Sequence, residues 1–188
     1  MLADYLKTYR NLITLKDGAR VLLRPLVAED RKMLIDLFAA ASPDDTKYLR
    51  DPITDADHVG RWADQIDYTR VVPLVAVVQD RMVGDATLHF RKGPSRHIGE
   101  LRIFLSKDFR RRGLGTHMLR TLIDLARKAG LHMLRAEVVA DQVKVVKAFQ
   151  SLGFQPQCTF EDTFMFPDGG TSDTVVLYMR LLQREEEF

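Results

Sequence analysis

Arg110-Arg111-Arg112-Gly113-Leu114-Gly115-Thr116 lies between a strand-like run at residues 101–105 and an amphipathic stretch that begins near Gly115. A strand that breaks through a glycine turn into a helix aims several backbone N–H groups at one spot. The helix dipole adds partial positive charge there, and three arginines add full charges. That combination is a cradle for a pyrophosphate. Downstream, Met118, Leu119, Leu122, Leu125, Ala126 and Ala129 recur at helical spacing, and Gly130 is the expected stop. Residues 133–139 are apolar enough for a buried strand. Residues 98–139 therefore read as strand, helix, strand, which makes the two strands parallel.

Working outward, residues 20–26 alternate as a strand, and residues 28–41 carry helical spacing that Ser42-Pro43 ends. Residues 44–54 read as a loop and 57–68 as a second helix. Strands are expected at 71–78, 82–90 and 98–105, a helix at 142–152 stopped by Gly153, then a strand from Phe154 and a last one at 174–182. The fold class is α/β, with a mixed, mostly antiparallel central sheet of about seven strands and about four flanking helices. No repeat or linker interrupts the 188 residues, which read as one domain with an N-terminal extension at 1–17 and a loose tail at 183–188.

Composition narrows the function classes. A hydrophobic content of 46% in 188 residues suffices for one core, and the net charge of +2 excludes a polyanion-coating protein. Charge is uneven: residues 29–67 hold ten acidic and five basic side chains, residues 102–128 two acidic and eight basic. The acidic segment suits a cationic acceptor. The basic run sits in a single turn with no aromatic platform, which excludes a nucleic-acid partner. Cys158 is the one cysteine, so no internal disulfide forms and a reducing compartment is expected. Asp4, Lys7 and Arg10 break up the first residues, and no run approaches the roughly 20 apolar residues of a membrane span. A cytoplasmic protein with no membrane partner, monomer or homodimer, is expected. His58, His89, His97, His117 and His132 lack metal-ligand spacing, so no metal is expected.

The element order resembles the GNAT superfamily of acetyltransferases, whose Arg/Gln-x-x-Gly-x-Gly/Ala signature is matched by Arg110, Gly113 and Gly115. The resemblance extends through Ile103-Phe104-Leu105, Ala136-Glu137-Val138 and Lys147-Ala148-Phe149-Gln150-Ser151-Leu152-Gly153-Phe154, and spans about residues 18–182. Residues 15–25, Ala41-Ser42-Pro43, Gln65-Ile66-Asp67-Tyr68 and Leu74-Val75-Ala76-Val77 are similar to the catalytic domain of bacterial protein lysine acetyltransferases.

The resemblance implies an N-acetyltransferase that moves an acetyl group directly from acetyl-CoA to a primary amine, first a protein lysine and second a small amine or polyamine. A non-catalytic acyl-CoA sensor is the alternative. It implies a splayed parallel strand pair that holds pantetheine on the backbone of Ile103, Phe104 and Leu105. The N–H near Leu105 would polarise the thioester carbonyl. Arg110, Arg111, Arg112, Gly113, Leu114, Gly115 and Thr116 would bind the pyrophosphate, with Gly113 and Gly115 leaving room for close approach. Gln142, Lys144, Val145 and Phe149 complete the expected cofactor contacts. Glu100 is the expected base, because an alkylammonium of pKa about 10.4 must lose a proton before attack. Glu137 is the rival base. Phe149 stands where related enzymes hold a proton-donating tyrosine, which leaves Tyr178, Cys158 or water to protonate the leaving thiolate.

Overall fold

The computed structural model describes residues 2–182. Helix α1 (Leu2–Thr8) and strand β1 (Asn11–Thr14) open the chain, followed by β2 (Arg20–Pro25), α2 (Arg31–Ala39), α3 (Pro43–Thr46) and α4 (Ala56–Asp64). Strands β3 (Val71–Val78), β4 (Arg81–Phe90) and β5 (Ile98–Leu105) form a meander. Helix α5 (Leu114–Lys128), β6 (Met133–Val139), α6 (Val143–Ser151), β7 (Gln155–Met165) and β8 (Thr171–Arg180) complete it. The eight strands form one sheet in the order β1-β2-β3-β4-β5-β6-β8-β7, antiparallel except for β5 and β6.

Two parts of the count exceed the expectation of about seven strands and four helices. The stretch read as an extension folds: β1 pairs with β2, and Leu6 and Leu15 are buried in the main core. Four residues with two apolar side chains are too short a pattern to announce β1. The stretch read as a loop contains α3, one turn with Pro43 at its start. The sequence segment Glu185-Glu186-Glu187, read as a loose tail, lies outside the described residues.

The two faces of the sheet carry separate cores. Helix α5 covers one face with Met118, Leu122 and Leu125, over Ala86, Leu88 and Leu101. Helices α2 and α4 cover the other, where Leu34, Phe38, Val59 and Ala63 meet Val75, Val77 and Phe104. From Asp85 onward this alternation places odd-numbered residues of β4, and it places even-numbered residues of β5, on the α2–α4 face, while nearer the β3–β4 hairpin Met82 lies on that face and Val83 in the α5 core. Burial of some 40 apolar side chains at about 25 cal/mol per Å² is what holds the layers together.

Candidate active site

Strand β5 pairs with β4 from Gly99 to Leu105, but with β6 only at Ile98–Met133, Gly99–Leu134 and Glu100–Arg135. Beyond that point the two parallel strands part. The Ser106 N–H donates to the Val83 carbonyl of β4 at 3.0 Å. Ladder alternation then turns the Phe104 main chain toward β4 and the main chain of Ile103 and Leu105 toward the gap. Two of the three expected pantetheine-facing residues thus offer their backbone to the gap, while Phe104 gives its ring to the wall. The Leu105 carbonyl accepts from Arg110 Nε at 3.0 Å.

At the open end of the gap, Gly113 caps α5 with φ +90°. Arg111 also holds a positive φ, 61°. The first N–H groups of α5 have no partner within the helix, and a Cβ built on Gly113 meets nothing within 4 Å. The cradle is therefore open. A cavity of about 1130 Å³ runs from it along the gap to the α2–α4 face, which is ample for a cofactor-sized ligand. It is lined by every sequence-derived site residue except Arg112 and Leu114. Leu114 is fully buried in the core. The Arg112 guanidinium turns outward to the Asp17 carboxylate, the Asp108 carbonyl at 3.1 Å and the Phe109 ring at 4.3 Å. Among the described residues no cluster of metal-ligating side chains occurs.

Glu100 and Glu137 face each other across the mouth of the gap and share Arg135. Glu100 accepts from Arg135 at 3.1 Å, from Arg102 at 3.1 and 3.2 Å and from Arg91 at 3.4 Å. Glu137 accepts from Arg135 and Arg50. Burial raises both carboxyls, but the guanidiniums outweigh it and hold each below the ordinary glutamate range. Both are ionised at neutral pH.

The loop after α2 is fastened over the cavity by three charged contacts. Asp45 pairs with Arg110, Arg50 with Glu137, and Asp51 with Arg102 at 3.4 Å. Within the acidic segment read as suiting a cationic acceptor, Asp67 lines the cavity and accepts from Thr69, while Asp64 lies off it and pairs with Arg31 at 2.8 Å. Phe149 is buried against Phe154, at 5.1 Å between ring centroids. Neither Tyr178 nor Cys158 lines the cavity; Tyr48 is the tyrosine on its wall.

Sequence reasoning did not pick out Asp85, Thr87 and His89, which form a polar row on the α2–α4 face. His89 Nε2 lies 2.9 Å from Thr87 Oγ1, and burial lowers its pKa, leaving a neutral imidazole at pH 7. Asp85 is 8% exposed, and burial alone raises its carboxyl to about 7. An Asp at one alternate position of a strand gives no sign of which layer it faces.

A family model described as acetyltransferase (GNAT) family matches residues 34–154. Among solved structures, the GNAT domain of Streptomyces lividans PAT superposes with TM-score 0.78 at 21% identity, over 92% of this chain and 97% of that one. The ribosomal-protein-alanine N-acetyltransferase of Brucella melitensis superposes with TM-score 0.75 at 23% identity, over 85% and 99%. The yncA protein of Salmonella typhimurium, a putative acetyltransferase solved with its cofactor acetyl-CoA, gives TM-score 0.75 at 19% identity, over 92% and 95%. These likenesses are of fold, and the family match covers the splayed strands, the glycine turn and the last helix. The chain belongs to the acetyltransferase (GNAT) family and is an acyltransferase of the GNAT fold.

Proposed function

We propose that the protein transfers an acetyl group from acetyl-CoA to a primary amine. The carrying observation is one cavity that joins the open glycine cradle, the gap between β5 and β6 and the carboxylate face. Acetyl-CoA supplies the activated acetyl thioester. The α5 N-terminus and the Arg110–Thr116 backbone hold the pyrophosphate, and the Ile103 and Leu105 main chain orients the pantetheine arm. Gln142, Lys144 and Val145, at the start of α6, contact the nucleotide end. Phe149 packs and carries no proton, which leaves the Tyr48 hydroxyl or water to supply one to the departing sulfur.

Glu100 takes the proton from the acceptor ammonium, directly or through water, and Glu137 anchors Arg50 and Arg135. Glu100 is kept anionic by its arginines, so it is unprotonated throughout the working pH range, though only weakly basic. A protein lysine is the acceptor that the sequence resemblance favours. A small amine is the second reading, supported by the buried Asp85 in the cavity wall, whose Oδ1 has no hydrogen-bond partner among the described residues.

Release of CoA thiol in the presence of lysine peptides and small amines tests this. Glu100→Gln is expected to lower kcat by roughly 10²–10⁴-fold with acetyl-CoA affinity little changed. The loss should shrink as pH rises toward the amine's own pKa. Glu137→Gln should cost less; the reverse order would move the base to Glu137. Acetyl-CoA binding without turnover on any amine would favour the sensor.

A further inference from the structure

Almost every carboxylate on the cavity wall is already spoken for. Asp44 pairs with Lys47, Asp45 with Arg110 and Asp51 with Arg102. Asp67 accepts from Thr69, and Glu100 and Glu137 hold arginines. Asp85 is the exception: among the described residues its Oδ1 has no hydrogen-bond partner, and no ion pair reaches it. A buried carboxyl in that state destabilises the fold, so a partner from outside the chain accounts for it best.

The surroundings specify that partner. Asp85 stands opposite Val75 on β3 and Phe104 on β5. The Phe104 ring lies 4.9 Å from Phe38, and Phe38 meets Trp62 edge-on at 5.7 Å. All three rings line the cavity. Aromatic faces beside a lone carboxylate suit an alkyl chain ending in an ammonium. The cations near that face are engaged: Arg102 is bound to Glu100 and Asp51, and Arg110, 5.8 Å over the Phe104 ring, pairs with Asp45. Helix α2, packed over β4, pairs its own Lys32 with Asp36 and its Arg31 with α4 carboxylates, so it offers Asp85 no charge.

Position decides which nitrogen binds there. Asp85 is opposite Phe104, and Glu100 is opposite His89. That puts four residues along and one strand across between the two acids, about 14 Å between Cα atoms at ~3.4 Å per residue and ~4.8 Å per strand. One nitrogen cannot hydrogen-bond both carboxylates. We propose that Asp85, with Phe38, Phe104 and Trp62, is a subsite for a second alkylammonium nitrogen of the acceptor, which makes the acceptor a linear di- or polyamine. The proposal rests on acetyl transfer to an amine and deepens it by choosing the small-amine acceptor.

The test compares spermidine and 1,5-diaminopentane with n-pentylamine and a lysine peptide, by CoA thiol release. In the wild-type protein the di- and polyamine kcat/KM should exceed that of n-pentylamine by tenfold or more. Asp85→Asn and Asp85→Leu should erase that margin while the KM for acetyl-CoA holds. No margin in the wild type, a margin that survives both variants, or a lysine peptide that outperforms the diamines overturns the subsite. If no amine is acetylated, the transfer reading fails and the subsite is judged by thermal shift. Spermidine should then raise the melting temperature of the wild type and of neither variant; no rise, or an equal rise in all three, overturns it.

Discussion

Gly113→Ala separates the cradle's chemistry from its backbone geometry. Gly113 sits at φ +90° with nothing within 4 Å of an added Cβ, so the methyl meets no protein atom and the cost is conformational. Holding an L-residue in that region costs about 1–2 kcal/mol. For a domain of this size each kcal/mol lowers the melting temperature by roughly 2–4 °C, so the apo variant should melt about 2–8 °C lower and still fold. Gly130, at the far end of α5, is the matched control: its φ is +75° and its added Cβ also meets nothing within 4 Å. Gly130→Ala should therefore lose a similar amount. The two part company when acetyl-CoA is added. At 100 times its Kd a ligand stabilises the native state by about 2.7 kcal/mol, and Gly130→Ala should keep that gain. In Gly113→Ala the methyl projects into the space proposed for the pyrophosphate, and most of the gain should vanish. Differential scanning fluorimetry with and without acetyl-CoA reads both effects. An equal ligand shift in the two variants would refute the assignment of the cradle.

Two further outcomes follow from the ion pairs and the buried acid. Asp45→Asn frees Arg110 from a partly exposed pair worth about 1 kcal/mol, so acetyl-CoA should bind about fivefold tighter by calorimetry; weaker binding would mean that Asp45 holds Arg110 in its productive pose. Asp85 is protonated up to about 7 in the folded chain against 3.8 as its ordinary value, so the native state binds the extra proton between these values and the residue's contribution to stability falls as pH rises through that window. Asp85→Leu should then gain more stability at pH 8 than at pH 4.5, by on the order of 3 kcal/mol, read as a larger rise in melting temperature, and an equal gain at both pH values would show that the carboxyl is not perturbed by burial.

Local pattern carried the architecture. The α5 stripe, the Gly130 stop and the β-meander are each written in a few consecutive residues, and the parallel pairing follows from the crossover helix between them. What local pattern cannot carry is partnership across the sheet. Glu100 is legible as an acid on a strand; that Arg91, Arg102 and Arg135 surround it depends on a hairpin and on the next parallel strand. Arg112 reads like its two neighbours, yet the folded N-terminal segment supplies Asp17 and draws it away from the cavity. The row Asp85, Thr87, His89 looks like a solvent face by alternation. Helices α2 and α4, set down on that face from elsewhere in the chain, turn it into a cavity wall.

The parting of β5 and β6 gives the sheet two inner edges, in the middle of the layer where main-chain groups are normally the most protected. An amide in a central strand exchanges its hydrogen only when the whole domain opens, but the Ile103 and Leu105 amides face the gap and need no such opening. They should exchange with solvent fast in the empty protein, beside neighbours such as Phe104 that exchange slowly, and become slow when a ligand lies along β5. The occupant would then be, in effect, the sheet's ninth strand, and the hydrogen-bonded continuity of the layer would depend on whether the enzyme is loaded.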